Sequence, residues 1–239
     1  MKIKIGSYIE NSLIDVLFYP SFVIFFSGCN FKCPWCQNAD LVKGYGFFVE
    51  INDIIRKIEK NFIIDFVQAS GGEPTLQKEG LEELFKKVKE IGLKTSISTN
   101  GYNCDVIKEL LEKDLLDHIA LDIKAPVNKY SKLAGIKIDF SRIENTLKVI
   151  KDFDFIEIRT TFVPNLLEKK DLIEISKYLL NILDDFYYVI QQFVPRNLLD
   201  PSLKNLDLVP EEELEKIGKE IKKFGIKVYI RSLNGIKKI

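Results

Sequence analysis

Six segments patterned as buried strands follow one another along the chain, and each is followed by the pattern of an amphipathic helix. The strand patterns are short apolar runs, of which 22–26 (FVIFF) is the first. The helical patterns repeat every three or four residues, as Leu81, Leu84, Phe85, Val88 and Ile91 do before Gly92, which we expect to end that helix. Alternating strands and helices form a parallel sheet with the helices outside it, and six steps are too few for a closed eight-fold barrel. The pattern predicts an α/β fold, an open, partial (β/α)6 TIM-like barrel, with a flat, doubly wound sheet as the alternative.

The remaining chain shows no internal repeat, low-complexity tract or linker, and 46% of its residues are apolar, which suffices for a core. One domain over 1–239 is therefore predicted, with a core barrel at about 22–195 and a C-terminal helix and strand at 211–233. Ser141 is predicted to cap a helix, with Glu144 as its capping-box partner. The predicted strands lie at 22–26, 65–69, 93–98, 118–123, 156–163 and 187–194, with a final short strand at 226–231.

Charge and hydropathy restrict the class of function. The 35 Lys and Arg residues balance 35 Asp and Glu residues, which argues against a broad surface for nucleic acid or for an anionic membrane. The first 20 residues lack the pattern of a signal peptide, and no run of about 18 apolar residues predicts a membrane span. We therefore expect a cytoplasmic protein without nucleic-acid or membrane partners, whose cysteines serve as metal ligands or in redox chemistry.

The segment 27–38 (SGCNFKCPWCQN) holds three of the four cysteines, Cys29, Cys33 and Cys36. A structural zinc site needs four ligands, and Cys104 and His118 lie far along the sequence. We expect Cys104 to begin a helix after Asn103 and His118 to be a packing residue. A thioredoxin-like pair in CPWC is the stronger alternative, but it leaves Cys29 without a role. An iron–sulfur cluster uses all three thiolates and leaves one iron open for a ligand.

Further polar segments follow the next predicted strands, at the ends where parallel α/β folds place their chemistry. In SGGEP (70–74), Gly72 permits a close backbone approach and Glu73 offers a carboxylate to an ammonium group. In DIKAP (122–126), Asp122 and Lys124 are two residues apart and project to the same side of a strand. For each of these segments an ordinary turn or a salt-bridged strand end is the alternative.

The motif GCNFKCPWCQN closely resembles the signature of the radical S-adenosylmethionine (SAM) superfamily. The resemblance implies a partial (β/α)6 barrel and one 4Fe–4S cluster, whose open iron binds SAM and whose electron releases a 5′-deoxyadenosyl radical. It makes the cluster ligands Cys29, Cys33 and Cys36, with no catalytic residue beyond the cluster. The residues that it places against the cofactor are Trp35, Cys36, Gln37, Gly72, Glu73, Asn100, Asp122 and Lys124.

The order of the motifs, with STNG (98–101) and DIKAP among them, is similar to that of the glycyl-radical enzyme activating proteins. The resemblance implies hydrogen abstraction from a glycine of a partner such as anaerobic ribonucleotide reductase, with flavodoxin or ferredoxin as electron donor. Asn165 stands where the superfamily's pattern has glycine, and asparagine tolerates the left-handed backbone. The alternatives are a small-molecule radical enzyme, similar to 7-carboxy-7-deazaguanine synthase, and a thiol–disulfide redox protein.

Overall fold

The computed structural model describes residues 1–239 and contains ten strands and eight α-helices. The chain forms two compact units. Unit 1 comprises residues 1–30 and 40–120, and unit 2 comprises residues 31–39 and 121–239. The single domain over 1–239 stays a prediction.

In unit 1 the strand order is β3-β1-β2-β4-β5, followed by the start of β6. Strands β1, β2 and β3 pair antiparallel, whereas β2, β4 and β5 pair parallel in the manner predicted for the barrel. The strands are β1 (Lys2–Val16), β2 (Tyr19–Phe26), β3 (Phe47–Glu50), β4 (Phe66–Gly71), β5 (Lys94–Thr99) and β6 (His118–Asp122). The helices are α1 (Ala39–Val42), α2 (Ile51–Ile58), α3 (Lys78–Glu90) and α4 (Cys104–Glu112).

In unit 2 the end of β6 is followed by the order β7-β8-β9-β10. The pairs β7–β8 and β8–β9 are parallel, and β10 turns back antiparallel on β9. The strands are β7 (Ile156–Phe162), β8 (Tyr187–Gln192), β9 (Lys227–Ser232) and β10 (Gly235–Lys238). The helices are α5 (Tyr130–Ala134), α6 (Ser141–Ile150), α7 (Lys169–Leu180) and α8 (Glu211–Lys222).

The predicted α/β fold is confirmed, because each of the six predicted strands and the helix after it is present. The pairs β2–β4, β4–β5, β7–β8 and β8–β9 are all parallel. Strands β3 and β10 each pair on one side only, as an open rather than a closed barrel requires. Strands β1, β3 and β10 and the short helices α1 and α5 were not predicted. Strand β1 lacks a clear alternation of polar and apolar residues, since its inward residues Ile3, Ile5 and Val16 are unevenly spaced.

The structure corrects one helix cap and supports another local expectation. Ser141 is the first residue of α6 and not its cap, because its N–H and hydroxyl both donate to Asp139 Oδ1. A capping box does occur at the start of α7, between Glu168 and Asp171. Asn165 has φ +65°, so the residue that replaces the family's glycine does adopt the left-handed backbone.

Helix α3 shows how the helices pack. Of the predicted inward residues, Leu81, Leu84, Phe85 and Val88 are fully buried. Ile91 is only half-buried, because α3 ends at Glu90, and Gly92 (φ +80°) follows the end of the helix as predicted. None of the helices is both long and apolar enough to cross a membrane.

Unit 2 also contains a buried ion-pair network. Glu157 on β7 is fully buried, and its Oε1 accepts from Arg159 Nε at 2.5 Å and from Arg231 Nη2 at 2.9 Å. Arg231 Nη1 also donates to Gln191 Oε1 at 2.7 Å, so three adjacent strands are joined through their side chains. Breaking such a network costs more than breaking an exposed pair because the remaining charge stays out of water.

We expect the Glu157→Ala variant to lose about 3–5 kcal/mol of unfolding free energy, because both arginines lose a buried acceptor. Urea unfolding of the full chain measures this loss. Glu83→Ala is the control, since its exposed pair with Lys87 spans 3.5 Å and its loss costs less than about 1 kcal/mol. Equal midpoints for the two variants would contradict the interpretation.

Candidate active site

The loop after β2 and the loop after β4 are joined by backbone hydrogen bonds within unit 1. Gly72 N donates to Phe26 O at 2.9 Å, and Glu73 N donates to Gly28 O at 2.8 Å. A Cβ atom built on Gly72 would lie 2.0 Å from Gly28 O. Gly72 is thus required for the close approach of two loops, one of which leads into Cys29.

Glu73 is fully buried, and its carboxylate joins the segments after β4 and β5 in unit 1. Its Oε1 accepts from Thr75 N at 3.1 Å, from Thr75 Oγ1 at 2.6 Å and from Thr99 Oγ1 at 2.8 Å. Its Oε2 accepts from Asn100 N at 2.8 Å. Burial raises the pKa of Glu73, although these donors partly offset the shift. The structure gives this carboxylate a role in shaping the loops, and its contact with a cofactor stays a prediction.

The Asn100 side chain extends this arrangement to the cysteine loop. Its Nδ2 donates to Asn30 Oδ1 at 2.7 Å, and its Oδ1 accepts from Tyr102 N at 3.0 Å. Asn30 directly follows Cys29, and Asn100 is itself held through its backbone by Glu73. Asn100 therefore fixes the residue beside the first cysteine, a role that sequence reasoning missed.

The second half of the cysteine loop lies in unit 2 and is held by the segment after β8. Cys36 N donates to Cys33 O at 3.0 Å, which closes a turn around Pro34 and Trp35. Pro34 O accepts from Asp200 N at 2.9 Å, and Cys36 O accepts from Leu199 N at 3.0 Å. The loop is thus bound at both ends of its turn by backbone hydrogen bonds.

Gln37 is anchored by the same segment. Its Nε2 donates to Val194 O at 2.7 Å, and its backbone O accepts from Asn197 Nδ2 at 3.3 Å. Asn197 has φ +48°, which turns the chain there. The sequence analysis assigned no role to 196–200, although its Arg-Asn pair after a strand is a turn signal.

Asp122 and Lys124 form an ion pair in unit 2, with Lys124 Nζ 3.0 Å from Asp122 Oδ2. Lys124 is 7% exposed, and its Nζ lies 5.2 Å from the centroid of the Trp35 ring. Burial alone would lower the pKa of Lys124, but the Asp122 carboxylate raises it above the usual value. The Trp35 Nε1 is buried and has no hydrogen-bond partner. A protonated amine and an unsatisfied indole N–H thus lie beside the cysteine turn.

None of the four cysteines forms a disulfide. Burial raises the pKa of Cys33 to about 11, with the Lys124 charge opposing the shift, and burial likewise raises the pKa of Cys36. No three Cys, His, Asp or Glu side chains converge as a single metal ion requires. The ligands of an iron–sulfur cube differ, because each thiolate binds its own iron. In unit 2, two thiols, a nearby cation and an unsatisfied N–H donor fit part of the surroundings of an anionic cluster with a polar ligand.

The remaining cysteine and histidine have structural surroundings within unit 1. Cys104 opens α4, and Asn103 precedes it as predicted, although Asn103 Nδ2 donates to Thr75 Oγ1 and makes no cap bond. The His118 ring is fully buried, with Nδ1 2.8 Å from Ser96 Oγ and its edge against Phe66. His118 is therefore a packing residue, as the sequence indicated.

Comparison with known proteins relates these loops to a family. Residues 23–179 match the Radical SAM superfamily. A Methanocaldococcus jannaschii protein, provisionally named a glycyl-radical enzyme activating enzyme, is 37% identical over 240 residues, which cover 98% of this chain and 98% of that protein. A Saccharolobus islandicus protein, provisionally named a GTP 3′,8-cyclase, is 27% identical over 85% of this chain and 64% of its own length.

Among solved structures, TYW1 with a lysine–pyruvate adduct bound superposes with a TM-score of 0.62 at 18% identity. The match covers 88% of this chain and 74% of that one. At this identity the likeness concerns the fold, and it agrees with the partial barrel predicted from the six β–α steps.

The buried Glu73 carboxylate predicts a pH-dependent stability. Its raised pKa means that the folded chain holds this proton more tightly than the unfolded chain, so its stabilising effect is present at low pH and is lost as the pH rises through the folded pKa. The Glu73→Gln variant carries no such charge. We expect the unfolding free energy of the wild type minus that of Glu73→Gln to fall as the pH rises from 4.5.

Urea unfolding at a series of pH values measures this difference. Glu79→Gln, on the exposed side of α3, is the control for the loss of one carboxylate from the same part of the chain. A difference between the wild type and Glu73→Gln that stays constant with pH would contradict the interpretation.

Proposed function

Because the chain belongs to the radical SAM superfamily, we propose that it is a glycyl-radical enzyme activating enzyme. It binds one 4Fe–4S cluster and SAM, and it removes a hydrogen atom from a glycine of a partner enzyme. The observation that carries the proposal is the 37% identity, over 98% of both chains, to a relative named for this activity. The match to the GTP cyclase is weaker and spans only 64% of that protein.

Cys29, Cys33 and Cys36 are the proposed cluster ligands. They are the three cysteines within eight residues of sequence, and no disulfide competes for them. The backbone bonds from Leu199 and Asp200 fix the turn that presents Cys33 and Cys36. Asn100 fixes Asn30, the neighbour of Cys29. A bound and reduced cluster supplies the electron that cleaves SAM into methionine and a 5′-deoxyadenosyl radical.

The charges of SAM find complementary groups in the chain. Lys124 is a buried, protonated amine, which suits a carboxylate. Asp122 neutralises Lys124 in the absence of a ligand and is a candidate partner for an ammonium group. The unpartnered Nε1 of Trp35 is a donor for a polar group of the cofactor. The other proposed contacts are Cys36, Gln37, Gly72, Glu73 and Asn100.

The partner is proposed to be a glycyl-radical enzyme, such as anaerobic ribonucleotide reductase, and the electron donor a flavodoxin or ferredoxin. The chain has only one cysteine, Cys104, outside the proposed cluster loop, so a second cluster with several thiolates lacks ligands. The electron therefore comes from another protein.

Iron binding tests the ligand assignment. We expect Cys29→Ala, Cys33→Ala and Cys36→Ala each to lose most of the iron and the visible absorbance after anaerobic reconstitution, because a cube with two thiolates has two unprotected irons. Cys104→Ala is the matched control and keeps both. Dithiol–disulfide activity that persists in an iron-free Cys29→Ala protein would favour the thiol redox alternative.

Radical transfer tests the reaction. We expect the reduced, reconstituted enzyme with SAM and an anaerobic ribonucleotide reductase to give a glycine-centred doublet in the electron paramagnetic resonance spectrum, together with 5′-deoxyadenosine. A partner that carries alanine at its radical glycine is the control and gives no doublet. GTP as the sole substrate tests the cyclase alternative, and GTP-dependent 5′-deoxyadenosine without any doublet would overturn the proposal.

A further inference from the structure

Three lysines without ion-pair partners surround the backbone contact that supports the second half of the cysteine loop. Lys32 N donates to Ala134 O at 2.9 Å, and a Cβ atom on Gly135 would lie 1.9 Å from Lys32 O and 3.3 Å from Cys33 N. Lys132 precedes Ala134 by two residues, and Lys137 follows Gly135 by two. The three lysines are therefore grouped around one point of close backbone packing, next to Cys33.

The chain around this point folds back on itself. Helix α5 ends at Ala134, and Gly135 follows with φ +69°, a conformation that reverses the chain. Ile138 N donates to Ser131 Oγ at 3.0 Å, which closes the segment 131–138. Lys132 and Lys137 thus lie on the same short closed segment, and both are exposed, as Lys32 is.

The local charge is strongly positive in a chain that is neutral overall. The segment 127–142 contains only one acidic residue, Asp139, which accepts two hydrogen bonds from Ser141. Its basic residues are Lys129, Lys132, Lys137 and Arg142, of which Lys129 is neutralised by Asp171 at 2.7 Å. Lysines on the outer helices are commonly paired, as in Lys78–Glu109 and Lys86–Glu82. Lysines without ion-pair partners occur elsewhere, as at Lys60 and Lys216, so this group is distinguished by its local excess of positive charge and by its position beside the cysteine loop.

We propose that Lys32, Lys132 and Lys137 form the docking surface for an acidic one-electron carrier protein, an inference that rests on the proposed function. The carrier loses one electron, and the cluster held by the adjacent loop gains it. Complexes of this kind are small and weak, and charge steers their encounter. A second copy of this chain would bring like charges together, and three lysines are too few for tight binding of nucleic acid.

The test compares two reductants of the reconstituted holoenzyme. The carrier probe is a reduced, acidic flavodoxin, and dithionite is the small-molecule control. We expect the triple variant Lys32→Glu, Lys132→Glu, Lys137→Glu to slow flavodoxin-driven formation of 5′-deoxyadenosine by about 10-fold or more at low salt, since steering of this kind changes on-rates by 10–10³. The dithionite-driven rate stays that of the wild type. The wild-type flavodoxin rate falls with salt, whereas the rate of the variant does not.

The matched control is Lys60→Glu, Lys216→Glu, Lys223→Glu, which changes three other exposed lysines by the same charge and keeps the flavodoxin rate. Titration of the holoenzyme with oxidised flavodoxin gives a second readout, and the dissociation constant rises only in the first variant.

Equal losses with both reductants, equal losses in both triple variants, or tighter binding of a short DNA duplex than of flavodoxin would each overturn the proposal. If the wild type cleaves no SAM even with dithionite, the proposed function fails, and the binding titration still decides the docking surface.

Discussion

The structure of the candidate site in unit 1 depends on one buried carboxylate. Glu73 accepts hydrogen bonds from the segments after β4 and β5, and through the Asn100 backbone it sets the side chain that holds Asn30. A buried carboxylate is costly unless its lone pairs are satisfied, and here four donors satisfy it. The four donors therefore favour the observed arrangement of the loops, because an alternative arrangement would leave the buried charge without hydrogen-bond donors.

Unit 2 holds its part of the cysteine loop by different means. There the backbone of 199–200 and the side chains of Gln37 and Asn197 make the contacts, and no buried carboxylate accepts from the loop. Backbone bonds to Pro34 and Cys36 fix the peptide groups and leave the thiols available. The three cysteines belong to one continuous stretch of sequence, but their supports come from residues as distant as Glu73 and Asp200.

Features that depend on neighbouring residues can be predicted from the sequence, whereas contacts between residues that are far apart along the chain cannot. The parallel strands and their helices follow from local periodicity, so all six steps were predicted, and Asn165 adopts the backbone that its residue type allows. Strand β1 was missed because its residues alternate poorly, and the four-residue edge strand β3 was missed because it pairs with a strand far away in the sequence. The ion pair between Asp122 and Lys124, which their two-residue spacing offered as the alternative interpretation, is present. The bonds that join Gln37 to Val194 and Asn197 have no local signal. Glu73 was found as a residue, but its burial and its four donors depend on how strands β4 and β5 align.

Lys124 links the electrostatics of the cysteine turn to the chemistry proposed for it. Its ammonium is paired with Asp122, lies over the Trp35 ring, and opposes the rise in the pKa of Cys33. A positive charge at this depth favours the thiolate over the thiol, so it works against burial and in the direction that metal binding requires. With an anionic cluster and a carboxylate as further partners, the same charge would gain more acceptors than it has in Asp122 alone. The buried lysine is therefore better explained by a negatively charged ligand than by the strand end on which it lies, since a salt bridge at an exposed strand end needs no burial to form.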